Sequence, residues 1–227
     1  MSTGVRWAAA DSGVPSESVD TFSSLGAFHR FAIRQPGVDV GADRREVLER
    51  LEPIHVKLRV ETGLGSRLFC TGEQVHGSGV AVAGRKSGGF YAGVDGLVTS
   101  DPGVCLGVYA ADCCAVFLVD PVSRCIGLVH SGAKGSALGI VGVAIRRMRD
   151  SFESRPENIS VLLSPCIRPP LYEVDFAEQI REQCREAGVG RVIDPKVCTG
   201  QNLDRYYSYR MEGGRTGRML ALLALTR

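Results

Sequence analysis

Three apolar runs follow one another closely: Val104 to Tyr109, Ala115 to Val119 and Cys125 to Val129. Each is too short for an average helix and shows no polar alternation. Such runs suit sheet strands that are covered on both faces. Asp120-Pro121-Val122-Ser123 marks a turn between the second and third. Whatever this chain folds into must contain a sheet buried on two sides, so other layers must cover it.

The flanking segments supply those layers. Asp43 to Leu51 is predicted as a short amphipathic helix with Val47, Leu48 and Leu51 inward, and Val56 to Cys70 as one or two strands. Val80 to Ala83, Asp95 to Thr99 and Ser160 to Leu163 are further strand candidates. Ser136 to Asp150 carries Leu138, Val141, Ile145 and Met148 at helical spacing. Asp175 to Ala187 is a second helix, with Asp175 as cap, Glu178 three residues on and Gly188 at the stop. Arg218 to Leu225 is expected to form a last apolar helix. Strands and helices alternate without internal repeats, which favours a single α/β domain. Residues 1–24, rich in Ser, Gly and Ala, are expected to be a poorly structured start, with the domain over 25–227.

Composition excludes several classes. With 44% hydrophobic and 23% charged residues, the 227-residue chain can bury a sizeable core. A net charge of +2 gives no argument for nucleic acid or an anionic membrane as partner. No apolar run is long enough to span a bilayer, and the first residues lack a signal-peptide core. The eight cysteines have no framework spacing, and Cys113 and Cys114 are adjacent. Reduced thiols and a cytoplasmic location are therefore expected.

Against this background three residues stand out as possible metal ligands. His76 precedes Gly77-Ser78-Gly79, Cys113 lies in the polar break between two apolar runs, and His130 ends the third run at a Gly-rich turn. Two imidazoles and a thiolate would make an open, catalytic type of zinc site. Alternation along an extended segment keeps Cys114 off the same ion. Spacing alone favours two hydrogen-bonded histidines and a small buried cysteine over a metal site.

The order and register of the motifs add to this. Gln74-Val75-His76-Gly77, Asp95-Gly96-Leu97-Val98-Thr99, Ala111-Asp112-Cys113, Val116 to Pro121 and His130-Ser131-Gly132-Ala133-Lys134-Gly135 resemble the YfiH-type laccase-domain family. Ser164 to Val174, Cys198-Thr199, Tyr206 to Arg210 and Thr216-Gly217-Arg218 continue the likeness, which covers about residues 70–227. Members are also described as polyphenol oxidases, purine nucleoside phosphorylases and peptidoglycan editing factors. The resemblance implies a mixed-sheet α/β sandwich and a zinc site of His76, Cys113 and His130, with copper as the alternative. It also implies an enzyme acting on a purine nucleoside or related heterocycle, by phosphorolysis or hydrolytic deamination. Its partners would then be a small-molecule substrate and phosphate.

Around the metal, Asp112 is the first candidate for moving protons, with Asp95 and Glu73 as others. Ser131 and Gly132, at a turn feeding a helix, could meet an anion, with Lys134 as a point charge. Arg168, Tyr172 and Arg210 are further substrate-side candidates. The chain departs from its family here: the usual His-Ala-Gly-Trp-Arg-Gly reads His130-Ser131-Gly132-Ala133-Lys134-Gly135. Lysine cannot reproduce a planar guanidinium fork, and alanine removes a stacking surface. A different substrate in a specialised biosynthetic reaction is therefore one alternative. A metal-free hydrolase using Cys113 with His130 or His76, or a non-catalytic accessory protein, are the others.

Overall fold

The computed structural model describes residues 6–226. In chain order the elements begin with β1 (Ala8–Ala9), β2 (Ser16–Ser18), α1 (Asp20–Ser23), β3 (Ala27–Ala32) and α2 (Arg44–Glu61). Next come β4 (Leu68–Gly72), β5 (Val80–Val82), β6 (Phe90–Tyr91), β7 (Gly96–Thr99), β8 (Val104–Ala110), β9 (Cys114–Asp120) and β10 (Cys125–Ser131). The chain closes with α3 (Ala133–Ala137), α4 (Ile140–Phe152), β11 (Ser160–Leu163), α5 (Phe176–Glu186), β12 (Arg191–Ile193) and β13 (Met219–Leu225).

The strands form two mixed sheets, ordered β1-β2-β3-β13-β8-β4-β6 and β12-β11-β9-β10-β7-β5. Their inner faces meet in one core that takes Phe31 from β3, Leu106 and Val108 from β8, Phe117 from β9 and Leu128 from β10. The outer face of the second sheet packs on α4 and α5 through Val116, Leu118, Ile145 and Ile180. The outer face of the first sheet packs on α2 through Leu220, Leu222 and Leu58. The result is a four-layer α/β/β/α sandwich. This explains the apolar runs: in β9, Ala115, Phe117 and Val119 face the other sheet while Cys114, Val116 and Leu118 face the helices. Every residue of β9 is buried, so nothing selects for polar alternation.

Four expectations are corrected. Arg218 to Leu225 is no helix: Met219–Leu225 is β13, the strand between β3 and β8. Leu and Ala favour helix in isolation, but a seven-residue slot open on both faces overrides that preference. Val56 to Glu61 belongs to α2, which continues through Pro53 and buries Val47, Leu51, His55 and Leu58 along one stripe. Pro53 lies on the exposed side, where its missing amide costs least. The helix expected from Ser136 to Asp150 is two, broken at Gly139, whose φ of 72° is left-handed.

Finally, residues 6–24 are not loose. Trp7 packs against Phe31 and Phe117 and donates from Nε1 to the Leu163 carbonyl at 3.1 Å, and Phe22 is buried in the same core. The rest of that expectation, residues 1–5, lies outside the described residues. Among the described residues no helix is long and apolar enough to cross a membrane.

Candidate metal centre and cavity

The site lies where two loops meet a strand. His76 follows β4, Cys113 stands between β8 and β9, and His130 is in β10. Antiparallel pairing sets His130 opposite Ala115, beside the loop that carries Cys113. Donor atoms of His76, Cys113 and His130 lie within 4.8 Å of one another. One ion with bonds of about 2.0–2.3 Å can reach all three with little movement. The two imidazoles meet edge to face, 4.9 Å between centroids.

Hydrogen bonds hold the segment around His76 in a backbone conformation it would not choose. His76 has φ 60° and Gln74 φ 61°, a region that costs a non-glycine residue of order 1 kcal/mol or more. Asp95 offsets this by accepting from the amides of Val75, His76 and Gly77 at 3.1, 2.9 and 2.8 Å. The same carboxylate receives Nδ1–H of His130 at 2.9 Å, which leaves Nε2 of that ring for an ion. One acidic side chain thus orients two ligands. Burial by itself would raise the Asp95 carboxyl, but hydrogen bonds from His130, Gly77 and His76 hold it below the ordinary range. Gln74 completes the clamp: its side chain donates to the carbonyl of Tyr109 at 2.6 Å and accepts that residue's amide at 2.9 Å.

The Cys113 loop has its own clamp. Asp112 (φ 80°) accepts from the Thr199 hydroxyl and the Arg210 amide, each at 2.7 Å. Opposite, Gly132 leaves room for the sulfur: a Cβ at that position would lie 2.5 Å from Sγ of Cys113.

The thiol and imidazole polarise each other. Burial pushes the Cys113 thiol up, but the facing His130 charge and hydrogen bonds from His130 and His76 outweigh it and bring it down to about 6. Burial likewise disfavours the His130 imidazolium, yet Cys113 and Asp95 raise it to about 9. Thiolate character is what a metal ligand needs.

The three donors face a cavity of about 850 Å³. Tyr109, Tyr172 and Tyr209 give it aromatic walls, and Arg44, Lys134, Arg210 and Arg218 give it cations. Of the expected site residues, Asp112, Lys134, Tyr172 and Arg210 line it, as does Ala133. The Arg210 guanidinium pairs with Glu173 and lies 5.3 Å from the Tyr172 ring centroid.

Three of the expected site residues do not line the cavity. Arg168 is turned away and pairs with buried Asp194, at 2.5 and 3.2 Å. Ser131 is buried, its hydroxyl sharing a 2.7 Å hydrogen bond with Ser136. Gly132 serves the Cys113 sulfur, and α3 is a single five-residue turn, so the anion cradle expected at 131–136 reduces to Lys134. Asp112 is placed at the cavity, but both its oxygens are occupied, which suits loop positioning better than proton transfer. Of the other acids, Asp95 is fully engaged and Glu73 accepts from the Gly93 amide outside the cavity. Cys166 is buried among the helix-side core residues, and Tyr206 and Tyr207 belong to the inter-sheet core.

Arg44, Tyr109 and Arg218 were missed as cavity residues. Arg44 sits beside the Asp43 cap, so its signal was helical. Arg218 lies in Thr216-Gly217-Arg218, a motif without an assigned role.

A four-layer α/β/β/α sandwich with a His-Cys-His donor set over a cation-lined cavity defines a class of single-domain proteins equipped to bind a metal. This chain belongs to the family described as multi-copper polyphenol oxidoreductase laccase, which it matches over residues 24–177 and 172–226. It is 31% identical to a purine nucleoside phosphorylase of Deinococcus radiodurans over 90% of this chain and 91% of that protein. It is 29% identical to the purine nucleoside phosphorylase YlmD of Geobacillus stearothermophilus, over 85% and 84% of the two chains. The crystal structure of YlmD from that organism superposes with a TM-score of 0.83 at 24% identity, covering 98% of this chain and 100% of that one. That of Bacillus licheniformis YfiH gives 0.75 at 20% identity over 95% and 97%.

Proposed function

We propose that this chain is a zinc-dependent enzyme that splits a purine nucleoside, or a related heterocyclic glycoside, with inorganic phosphate. The observation that carries the reading is the convergence of His76, Cys113 and His130 within 4.8 Å at a cavity lined by aromatics and cations. Relatives named purine nucleoside phosphorylase support it. Zinc in such a donor set supplies Lewis-acid chemistry and lowers the pKa of water to about 7; copper accepts the same ligands.

The chain's own residues bind and orient. Tyr172 and Tyr209 offer faces for a planar base, in place of the family tryptophan that is Ala133 here. Lys134 meets the attacking phosphate as a point charge. Asp95 keeps the imidazole of His130 in one tautomer, and Asp112 fixes the loop of Cys113. Phosphorolysis fits this cavity better than hydrolytic deamination, because deamination needs a carboxylate free to carry protons. Among the described residues the only carboxylate that lines the cavity, Asp112, is committed on both oxygens.

A second reading rests on the Cys113–His130 pair. A thiol lowered to about 6 beside an imidazole raised to about 9 is also what a metal-free cysteine hydrolase requires. The deciding experiment measures zinc content and phosphate-dependent purine release from inosine in protein purified without added metal. One equivalent of zinc, lost in His76→Ala and His130→Ala, with release that stops on chelation, is the expected result. Release that survives full chelation and no longer needs phosphate would favour the cysteine reading instead.

A further inference from the structure

The cations of the cavity come from both halves of the sandwich. Lys134 lies in the first turn of α3, which packs on β10, α4 and α5 of the second-sheet half. Arg44 starts α2, which covers the first sheet, and Arg218 leads into β13 of that sheet. Arg210 is already balanced by Glu173. Among the described residues none of Arg44, Arg218 and Lys134 has a carboxylate within ion-pair distance.

Arg44 and Arg218 are close enough to feel each other. Burial first, and then the charge of Arg44, lower the pKa of Arg218, with Tyr209, Cys113 and Asp112 offsetting this only in part. Part of the Arg218 fork is used at home, where Nη1 donates to the carbonyls of Thr216 and Gly217 at 2.9 Å each. Among the described residues its other donors and those of the Arg44 side chain meet no acceptor, and both side chains line the cavity. Two like charges lining one cavity, neither with a carboxylate at ion-pair distance among the described residues, are unfavourable until an anion arrives. Paired guanidinium forks match phosphoryl oxygens in geometry as well as in charge.

We infer that Arg44 and Arg218 form a second anion subsite, distinct from Lys134, that takes a phosphoryl group carried by the substrate itself, so that the substrate class is a purine nucleoside monophosphate. This rests on the phosphorolysis reading above for the reaction but not for the binding. A cavity of about 850 Å³ lies toward the upper end of small-molecule sites, roughly 300–1,000 Å³, and holds a nucleotide together with inorganic phosphate. In the reaction the C1′–N9 bond breaks as an oxygen of inorganic phosphate bonds to C1′. The base leaves with the electron pair of the broken bond and takes up a proton from solvent. The product sugar then carries two phosphates, which explains why cations stand on two walls rather than one.

Calorimetric titration of the zinc-loaded protein with inosine and with inosine 5′-monophosphate, in buffer free of inorganic phosphate, tests the subsite directly. The monophosphate should bind roughly tenfold to a hundredfold more tightly, the effect of one or two charge-assisted hydrogen bonds. Arg44→Gln and Arg218→Gln should each collapse that ratio several-fold, with Arg44→Lys and Arg218→Lys recovering part of it. Thermal melts of the same variants separate this from unfolding, and Arg44 is exposed enough to be replaced without disturbing the core. Steady-state kinetics adds the source of the anion: Lys134→Gln should raise the KM for inorganic phosphate. Equal binding of inosine and its monophosphate overturns the inference. So does a ratio unchanged in both glutamine variants while their KM for inorganic phosphate rises, since the pair would then hold the free anion. A binding preference that persists without turnover of either compound would sink the phosphorylase reading and leave the subsite standing.

Discussion

Replacing Gly132 with alanine isolates how the sulfur of Cys113 is positioned. The backbone at Gly132 has φ −104° and ψ −169°, which any residue adopts, so the substitution carries no conformational strain. Its whole effect is one methyl group, whose Cβ would lie 2.5 Å from Sγ of Cys113, 3.6 Å from Cβ of Cys113 and 4.0 Å from Cδ2 of His76. Non-bonded contacts settle at about 3.5–4 Å, so the sulfur or the turn must move by roughly 1 Å. Metal–ligand distances tolerate only about 0.2 Å. The clash therefore falls on the ligand that defines the site. Gly132→Ala should weaken zinc binding at least about tenfold to a hundredfold, the range seen for lesser disturbances around metal ligands. The fold should lose no more than about 1–3 kcal/mol, as for other small overpacking changes. Competition against a chromophoric zinc chelator reads the first number, and urea unfolding of metal-free protein reads the second. Wild-type zinc affinity in Gly132→Ala, with Cys113→Ser still abolishing binding, would refute the reasoning.

Two further outcomes follow from buried charge. Arg168→Ala leaves the Asp194 carboxylate buried without its partner, which should cost about 3–5 kcal/mol of stability, while the KM for substrate stays within about twofold because Arg168 does not line the cavity; a large KM change with little loss of stability would restore its substrate role. Burial, with the charge of a neighbouring arginine, lowers His29 and His55 to about 4. Each is neutral in the fold but takes a proton near pH 6.5 when unfolded, so stability falls as pH drops from about 6.5 toward 4, by up to about 3 kcal/mol per histidine. Among the described residues neither ring nitrogen of His55 has a partner, so His55→Leu should lose less stability between pH 7.5 and 5 than the wild type in urea unfolding. Identical losses would show that His55 is hydrated or paired.

The amino-acid sequence by itself determined the strands β8, β9 and β10, because their unbroken apolar character has no other stable outcome in a chain of this composition. It also determined the helix α5, through its Asp175 cap, and pointed to His76, Cys113 and His130 as candidate donors, through their register with a family. The fate of Met219–Leu225 and of residues 6–24 was decided elsewhere. A run of Leu and Ala becomes a strand only because β3 and β8 offer it backbone partners on both sides. Trp7 is ordered only because Phe31 and Phe117, distant in sequence, form its cavity.

The same holds at the metal centre. Asp95 reads in sequence as one acid among several, and only the tertiary fold places it against both His76 and His130. Arg168 reads as a free cation until Asp194 is brought beneath it. Arg44 and Arg218, separated by most of the chain, come to line one cavity only when α2 and β13 pack together. Local patterns fix which groups are present and which face of an element they occupy. Which charges are paired, and which are left open to a ligand, depends on contacts between segments far apart in sequence, and no local pattern encodes those.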